Sequence, residues 1–107
     1  TQEYLVTALD KVSPNLRMMI SEIEYTPTIS QNGTIIDDKR FTFYMNDSNI
    51  AVVNAINIDK FNNYLKIVSK TMDSFDSNVK GTYNFDSGTS NVFFSKFGSE
   101  GDNSGEN

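Results

Sequence analysis

The chain lacks several residue types on which common site chemistry depends. Its 107 residues include no cysteine, no histidine and no tryptophan. Without cysteine there is no disulfide framework and no thiol nucleophile, and without histidine the commonest general base and transition-metal ligand are missing. No run approaches the roughly 18 apolar residues that a membrane span needs, and the opening stretch TQEYLVTALDKV has no signal-peptide pattern. We therefore expect a cytoplasmic protein without a cofactor or a membrane partner.

Catalytic and metal-binding motifs are also missing from the sequence. There is no Gly-rich phosphate loop, no Gly-x-Ser-x-Gly nucleophile motif and no Cys/His metal spacing. Asp37 and Asp38 are typical of a solvated strand edge, and Asp73 with Asp76 resembles turn chemistry more than a calcium loop. The sequence therefore predicts a protein that is not an enzyme and binds no metal.

What the chain does have is aromatic residues, acidic charge and a polar end. It contains 8 Phe and 5 Tyr, and its net charge is −5. Three of the acids lie in the final segment GSEGDNSGEN, so the rest of the chain carries a net charge of only −2. These features predict a helix or arm over residues 1–14, one packed domain over 15–97 and a disordered acidic tail over 98–107.

The first half of the domain has the pattern of a short helix followed by strands. A helical stripe of apolar residues ends at Pro14. Alternating residues then predict strands within 16–29 and 34–45, with a bulge near Ser21 and a hairpin turn at Asn32-Gly33. The β-branched run at 50–58 predicts a third strand, although a short apolar run of this kind leaves a helix open.

In the second half, the spacing of the apolar residues changes from that of a strand to that of a helix and then back to that of a strand. Apolar residues from Phe61 to Met72 follow a helical spacing, with Asp59 as a plausible cap. Two strands follow, within 79–86 and 90–97. Five strands with a helix between the third and the fourth is the order of an OB-fold, so we predict a mainly β, OB-like five-stranded barrel.

The stretch KRFTFYM is the strongest indication of a binding surface. Phe41 and Phe43 share one face of a strand and should lie in the core, while Arg40 and Tyr44 point the other way, close to Lys39. Single-stranded nucleic acid is bound by this combination, because every base can stack on a ring and every phosphate attracts a cation. The alternative is that the outer residues only cover a solvated sheet.

The last two strands repeat the pattern of rings and cations. In GTSNVFFSKF, Phe93 and Phe97 share one parity and Phe94 and Lys96 the other, so at least one ring must face outward. Together these strands predict a surface for single-stranded DNA. Its candidate residues are Arg17, Tyr25, Lys39, Arg40, Tyr44, Lys80, Tyr83, Phe94 and Lys96.

The strings GTIID, SKTMDS and GTSNVFFSKF resemble the single-stranded DNA-binding proteins of small bacteriophages that replicate linear genomes by protein priming. Within them, Asn91–Ser95 is the close match. The resemblance implies a small OB-type barrel that coats displaced strands during phage DNA replication, with contacts from residues such as Tyr44 and Tyr83. The acidic tail departs from this resemblance. In the broader class of single-strand binders such tails recruit replication proteins, but this tail lacks the apolar ending usual for that role. A homo-oligomer is a further possibility.

A second hypothesis from the charges is a small phage protein-interaction module. Its acidic surface would bind a basic host protein, inhibiting it or mimicking DNA. The two hypotheses differ in which charges lie on the aromatic face of the sheet. Basic residues there favour DNA binding, whereas mimicry is favoured by a cluster of Asp37, Asp38, Asp73 and Asp76.

Overall fold

The structure is a computed structural model that describes residues 2–98. Within these residues the strands are β1 (Ile20–Tyr25), β2 (Thr28–Ile29), β3 (Ile35–Asp37), β4 (Arg40–Met45), β5 (Ile50–Asn54), β6 (Gly81–Asn84) and β7 (Phe93–Lys96). The helical elements are α1 (Gln2–Leu9), α2 (Pro14–Arg17), a 3-10 helix (Ala55–Asn63) and α3 (Tyr64–Ser74). The fold is mainly β, as predicted, and none of the described helices is long and apolar enough to cross a membrane. Apart from Gly98, the predicted tail lies outside the described residues.

Five of the strands form one mixed sheet in the order β1-β4-β5-β6-β7. Neighbouring strands are antiparallel except β5 and β6, which run parallel and are connected through the 3-10 helix and α3. β2 and β3 pair in a separate two-stranded sheet. Within residues 2–98, β1 and β7 have one strand neighbour each, so the sheet has two open edges. The closed OB-type barrel is therefore not shown.

The N-terminal strands form one long hairpin that is interrupted in the middle. β1 pairs with β4, and β2 and β3 continue the hairpin beyond Pro27 on one side and Asp38 on the other. Proline has no backbone N–H to donate, which explains why the ladder stops at this point. The turn falls at Asn32-Gly33, where Gly33 has a φ of +88° that suits glycine. The sequence prediction of this hairpin turn is confirmed.

The first strand begins later than predicted. Pro14 opens α2, because proline fits the first turn of a helix, and Leu16 is buried from this helix rather than from a strand. The strand itself begins at Ile20. Its register against β4 shifts between Ile20 and Glu22, which confirms the predicted bulge near Ser21.

The predicted boundaries of the helix between the third and fourth predicted strands are also wrong. The third strand of the sequence prediction ends at Asn54, whose Oδ1 accepts a hydrogen bond from the N–H of Ile56 (3.0 Å). This cap starts the 3-10 helix, so the chain is already helical where a strand was predicted. The α-helix begins only at Tyr64, and Asp59 lies inside the 3-10 helix instead of capping α3.

Aromatic rings fill the core between the sheet and the crossover. Phe61 packs edge-on against Phe43 and Phe85, with ring centroids 5.2 and 5.6 Å apart. Tyr64 meets Tyr83 at 5.7 Å. All five rings are almost fully buried, and burial of a phenylalanine-sized side chain contributes about 1.5–3 kcal/mol to stability. The ring contacts therefore fix the 3-10 helix and α3 on the sheet.

The predicted N-terminal segment is a helix that belongs to the same core. Ala8 and Val12 are buried in the core cluster. The N–H of Ser13 donates to Oδ1 of Asn62 (2.9 Å), and Nδ2 of the same asparagine donates to the carbonyl of Lys11 (2.9 Å). Residues 2–14 are thus anchored on the crossover, and the predicted boundary after residue 14 does not separate two units.

Candidate nucleic-acid interface

The predicted DNA surface lies on the face of the five-stranded sheet that points away from the core, which we call the outer sheet face. Strand register defines its members, because residues directly opposite each other in a ladder share a face. One row across the sheet is Glu22, Tyr44, Ile50, Thr82 and Ser95, and the next is Glu24, Thr42, Val52, Asn84 and Phe93. These two rows contain two carboxylates, two aromatic rings and no cation.

Tyr44 lies on the outer sheet face, as predicted, but in acidic surroundings. Its hydroxyl donates a hydrogen bond to Oε1 of Glu24 (2.7 Å), and Glu22 lies directly opposite it in the ladder. The hydrogen bond to Glu24 raises the pKa of Tyr44, and the charges of both carboxylates contribute to the same direction. A phosphate beside this ring would be repelled by two negative charges. The ring is therefore poorly placed to bind a nucleic-acid strand.

Arg40 also points to the outer sheet face, but protein groups occupy its guanidinium. Nη1 donates to the carbonyl of Thr26 (2.9 Å), and Nε lies 3.8 Å from Oδ2 of Asp86. Burial, with a further contribution from the charge of Asp37, raises the pKa of the Asp86 carboxyl. The predicted cation therefore serves to compensate a partly buried carboxylate, and it is not an open phosphate site.

Lys39 and Tyr25 are each engaged in local contacts. Nζ of Lys39 donates to Oδ1 of Asp38 (2.9 Å), and this hydrogen bond raises the pKa of the lysine and lowers that of the aspartate. The same ammonium lies 4.5 Å from the ring centroid of Tyr4. Tyr25 is 39% exposed, and its ring packs against Phe41 at 5.5 Å. Neither side chain is therefore a free partner for a nucleic-acid strand, although part of the Tyr25 ring remains open to solvent.

The structure contradicts the prediction that Tyr83 and Phe94 stack bases. Tyr83 has 0% exposure and its ring packs against Tyr64 and Phe94. Phe94 is half-buried, because it lies opposite Tyr83 in the β6–β7 ladder and also contacts Phe75. The exposed ring of β7 is instead Phe93, at 56%. The strand was predicted, and its pattern left open which face is the core; Phe94, selected as a site residue, lies on the core face.

The other predicted cations lie on separate elements. Arg17 ends α2, and its Nη1 lies 4.0 Å from Oδ1 of Asp10. Lys80 precedes β6 and Lys96 ends β7, where the two are close neighbours because Lys96 pairs with Gly81. The structure therefore does not gather the predicted residues into one basic surface.

The aspartates of the mimicry hypothesis do not form one cluster on the outer sheet face: Asp73 lies in α3, and Asp37 and Asp76 make local contacts. Asp37 ends β3 and accepts hydrogen bonds from Nδ2 of Asn54 (2.7 Å) and the N–H of Lys39 (2.9 Å). Asp76 follows α3 and accepts the N–H of Asn78 (2.8 Å). Turn capping accounts for both residues. The acidic side chains on the outer sheet face are Glu22 and Glu24 instead.

A groove between α3 and the β6–β7 connection contains three lysines that the sequence interpretation did not select. The groove has a volume of about 280 Å³, and its lining residues are Lys60, Asn63, Lys66, Ile67, Lys70, Ser90 and Val92. We call it the lysine groove. Nζ of Lys60 donates to the carbonyl of Thr89 (2.5 Å), which ties the crossover to the opposite wall. Lys66 and Lys70 are exposed and have no ion-pair partner within residues 2–98.

One wall of this groove can be recognised in the sequence, and the other cannot. Lys66 and Lys70 are four residues apart on α3, and Asn63 precedes Lys66 by one turn, so these side chains share a helix face. The predicted binding surface rests on strands in which rings and cations lie together, and it therefore does not include this helix. The opposite wall could not be foreseen, because nothing in the local pattern says that Ser90 and Val92 pack beside α3.

No protein-family model matches the chain, and no significant similarity was found to a curated protein or to a solved structure. The function must therefore be argued from the geometry of the described residues. Within residues 2–98 there is no group of three or more His, Cys, Asp or Glu side chains placed to hold a metal ion. Among the surfaces described above, the lysine groove is lined by cations and the outer sheet face carries carboxylates.

Proposed function

We propose that the protein binds single-stranded DNA without sequence preference and that the phosphates lie in the lysine groove. The observation that carries this proposal is the convergence of Lys60, Lys66 and Lys70 in one groove, to whose lining the described part of the chain contributes no acidic residue. Outside its last segment the chain has a net charge of −2, so bulk charge provides no attraction for DNA. Binding must come from a local basic site, and phosphate contacts are the main source of affinity in such sites.

The uncharged groups of the groove suit a nucleic-acid backbone. Ile67 and Val92 are half-buried against the core and give the groove an apolar floor. Asn63 and Ser90 add neutral hydrogen-bonding groups at its rim. A single strand alternates charged phosphates with less polar sugars, and the groove offers partners for both. Binding to these side chains does not require any particular base.

Phe93 is the ring that we propose for base stacking. It follows Val92 directly in the chain, begins β7 and is 56% exposed on the outer sheet face. A strand that leaves the lysine groove past Val92 would meet this ring next. Stacking of one base on an aromatic side chain contributes about 1–3 kcal/mol and tolerates any base.

The wider role belongs to the same proposal. Coating of displaced strands during phage DNA replication is supported by the resemblance of Asn91–Ser95, which includes one wall of the groove and the proposed ring. The OB-type description of the fold is likewise a proposal. The five strands with a crossover between the third and the fourth agree with it, whereas the linear strand order with open edges departs from it. Binding in the groove needs no barrel closure.

Fluorescence anisotropy of labelled oligo(dT) over a range of salt concentrations tests the proposal. For single strands the slope of log K against log salt is about −0.7 per phosphate contact, so three lysines predict a slope near −2. The double variant Lys66→Gln/Lys70→Gln should bind more weakly and reduce the slope to about −0.7.

The matched control is Lys39→Gln/Lys96→Gln, which removes the same charge from the surface that the sequence predicted. This control should keep the slope of the unmodified protein. If the control variant reduces the salt slope and the groove variant does not, the phosphates bind at the sheet and not in the lysine groove. Absence of saturable binding at low salt in the unmodified protein would overturn DNA binding itself.

A further inference from the structure

β1 is an edge strand whose free side is regular over its last residues. It pairs with β4 on one side and has no strand neighbour on the other within residues 2–98. Its register shift is confined to Ile20–Glu22, and from Glu22 to Tyr25 the strand pairs residue by residue with β4. The free side of such a segment presents unpaired main-chain N–H and C=O groups. An extended peptide can add to an edge of this kind through main-chain hydrogen bonds.

The side chains of this edge differ between the two faces of the sheet. Glu22 and Glu24 are exposed on the outer sheet face. Ile23 is half-buried on the opposite face. A groove of about 290 Å³ at this edge is lined by Leu9, Arg17, Ile20, Ser21, Glu22 and Ile23. A strand that added to β1 would place alternate side chains beside the two carboxylates and beside Ile23.

Charge decides which strand can add. A second copy of the chain, paired edge to edge, would bring further carboxylates against Glu22 and Glu24, and like charges across a strand pair are destabilising. A strand with lysine or arginine at alternate positions would instead pair with both carboxylates. Tyr44 orients one of them through its 2.7 Å hydrogen bond to Glu24, and its ring can also attract a neighbouring cation.

We propose that the edge from Glu22 to Tyr25 binds an extended segment of a partner protein in which basic and apolar residues alternate. The basic side chains lie beside Glu22 and Glu24, and an apolar side chain covers Ile23. This binding site is formed by β1 and is distinct from the lysine groove on α3. It does not depend on whether the protein binds DNA.

Titration of the ¹⁵N-labelled full chain with the peptide acetyl-Thr-Lys-Ile-Lys-Ile-Lys-Thr-amide, at physiological salt, tests the proposal. We expect saturable amide shifts centred on Glu22–Tyr25. The same peptide with its lysines replaced by glutamates should cause no shifts there. Shifts that centre on another acidic segment of the chain would overturn the proposal.

Charge reversal and backbone methylation separate strand addition from simple charge attraction. The variant Glu22→Lys/Glu24→Lys should bind the lysine peptide at least tenfold more weakly and should gain affinity for the glutamate peptide. Two further lysine peptides carry N-methyl groups either on the lysines or on the isoleucines, which blocks the N–H donors of one edge or the other. At least one of them should bind tenfold more weakly. Unchanged affinity in the charge-reversed protein, or in both methylated peptides, would reject the proposal.

Discussion

The hydroxyl of Tyr44 donates a hydrogen bond to the carboxylate of Glu24 across the β1–β4 ladder, at 2.7 Å. Because of this contact, the outer sheet face is not the basic aromatic surface that the sequence predicts. The sequence places a ring and a cation side by side there, whereas the structure places the ring beside two carboxylates and pairs Arg40 with Asp86. The open positive charge lies instead on α3, in the lysine groove.

Substitution of the exposed Phe93 and of the half-buried Tyr44 should distinguish a strand bound beside the lysine groove from one bound beside β1. Phe93→Ala should weaken oligo(dT) binding by about 1–3 kcal/mol, the usual contribution of one stacked base. Tyr44→Ala should change the affinity less than about twofold, because phosphates avoid the adjacent carboxylates. Anisotropy titrations measure both, with thermal melts to show that each variant is folded. A larger loss for Tyr44→Ala than for Phe93→Ala would move the binding site away from the lysine groove, toward the β1–β4 side of the sheet.

Removal of the Tyr83 ring should affect stability rather than binding. Tyr83→Ala deletes a fully buried aromatic side chain and should lower the free energy of unfolding by about 3–5 kcal/mol. Tyr4→Ala, at a half-exposed tyrosine of α1, is the control and should cost less than about 1 kcal/mol. Urea denaturation measures both. A cost below 1 kcal/mol for Tyr83→Ala would contradict its place in the core.

The strand faces could be predicted from sequence where only one parity was apolar. Phe41 and Phe43 were assigned to the core correctly, because their neighbours Arg40 and Tyr44 left a single choice. The bulge near Ser21 was predicted from the change of parity between Ile20 and Ile23, which both pack against the core. Local alternation is enough information for such strands.

The rest required tertiary information. In β7 both parities carry a phenylalanine, so alternation could not say whether Phe93 or Phe94 faces the core. The pairing of β5 with β6 depends on the crossover between them, and the lysine groove depends on which loop packs beside α3. The partners of Tyr44 and Arg40 are set by strand register. None of these relationships leaves a periodic trace in the sequence.

Gly81 marks a close approach between β6 and β7. A Cβ atom at this position would lie 2.2 Å from the carbonyl oxygen of Ser95 and 2.6 Å from the ring of Phe94. Gly81→Ala should therefore destabilise the protein by about 1–3 kcal/mol through overpacking. Urea denaturation checks the cost, and amide exchange should show faster opening of β7. Thr82→Ala, on the opposite face of β6, is the control and should leave exchange in β7 nearly unchanged.

Asp86 should make stability depend on pH. Burial raises its pKa in the folded protein above the ordinary value of 3.8, so the folded state holds this proton more tightly than the unfolded state does. The contribution of Asp86 to stability therefore falls as the pH rises from the pKa of Asp86 in the unfolded chain to its higher pKa in the folded protein. Asp86→Asn should be more stable than the unmodified protein at pH 7, and the difference should shrink at pH 3. A difference of the opposite sign at pH 7 would show that the ion pair with Arg40 outweighs burial.

The parallel pairing of β5 with β6 also has a kinetic consequence. β1, β4 and β5 can assemble through short connections, whereas β6 reaches β5 only after the whole crossover from Ala55 has been closed. Pairing between distant parts of a chain slows folding, because loop closure costs entropy before any contact forms. We expect the β6–β7 unit to dock last and to open first in the native state. Since this unit supplies one wall of the lysine groove, a DNA strand bound in the groove would contact both walls and slow the opening of the unit.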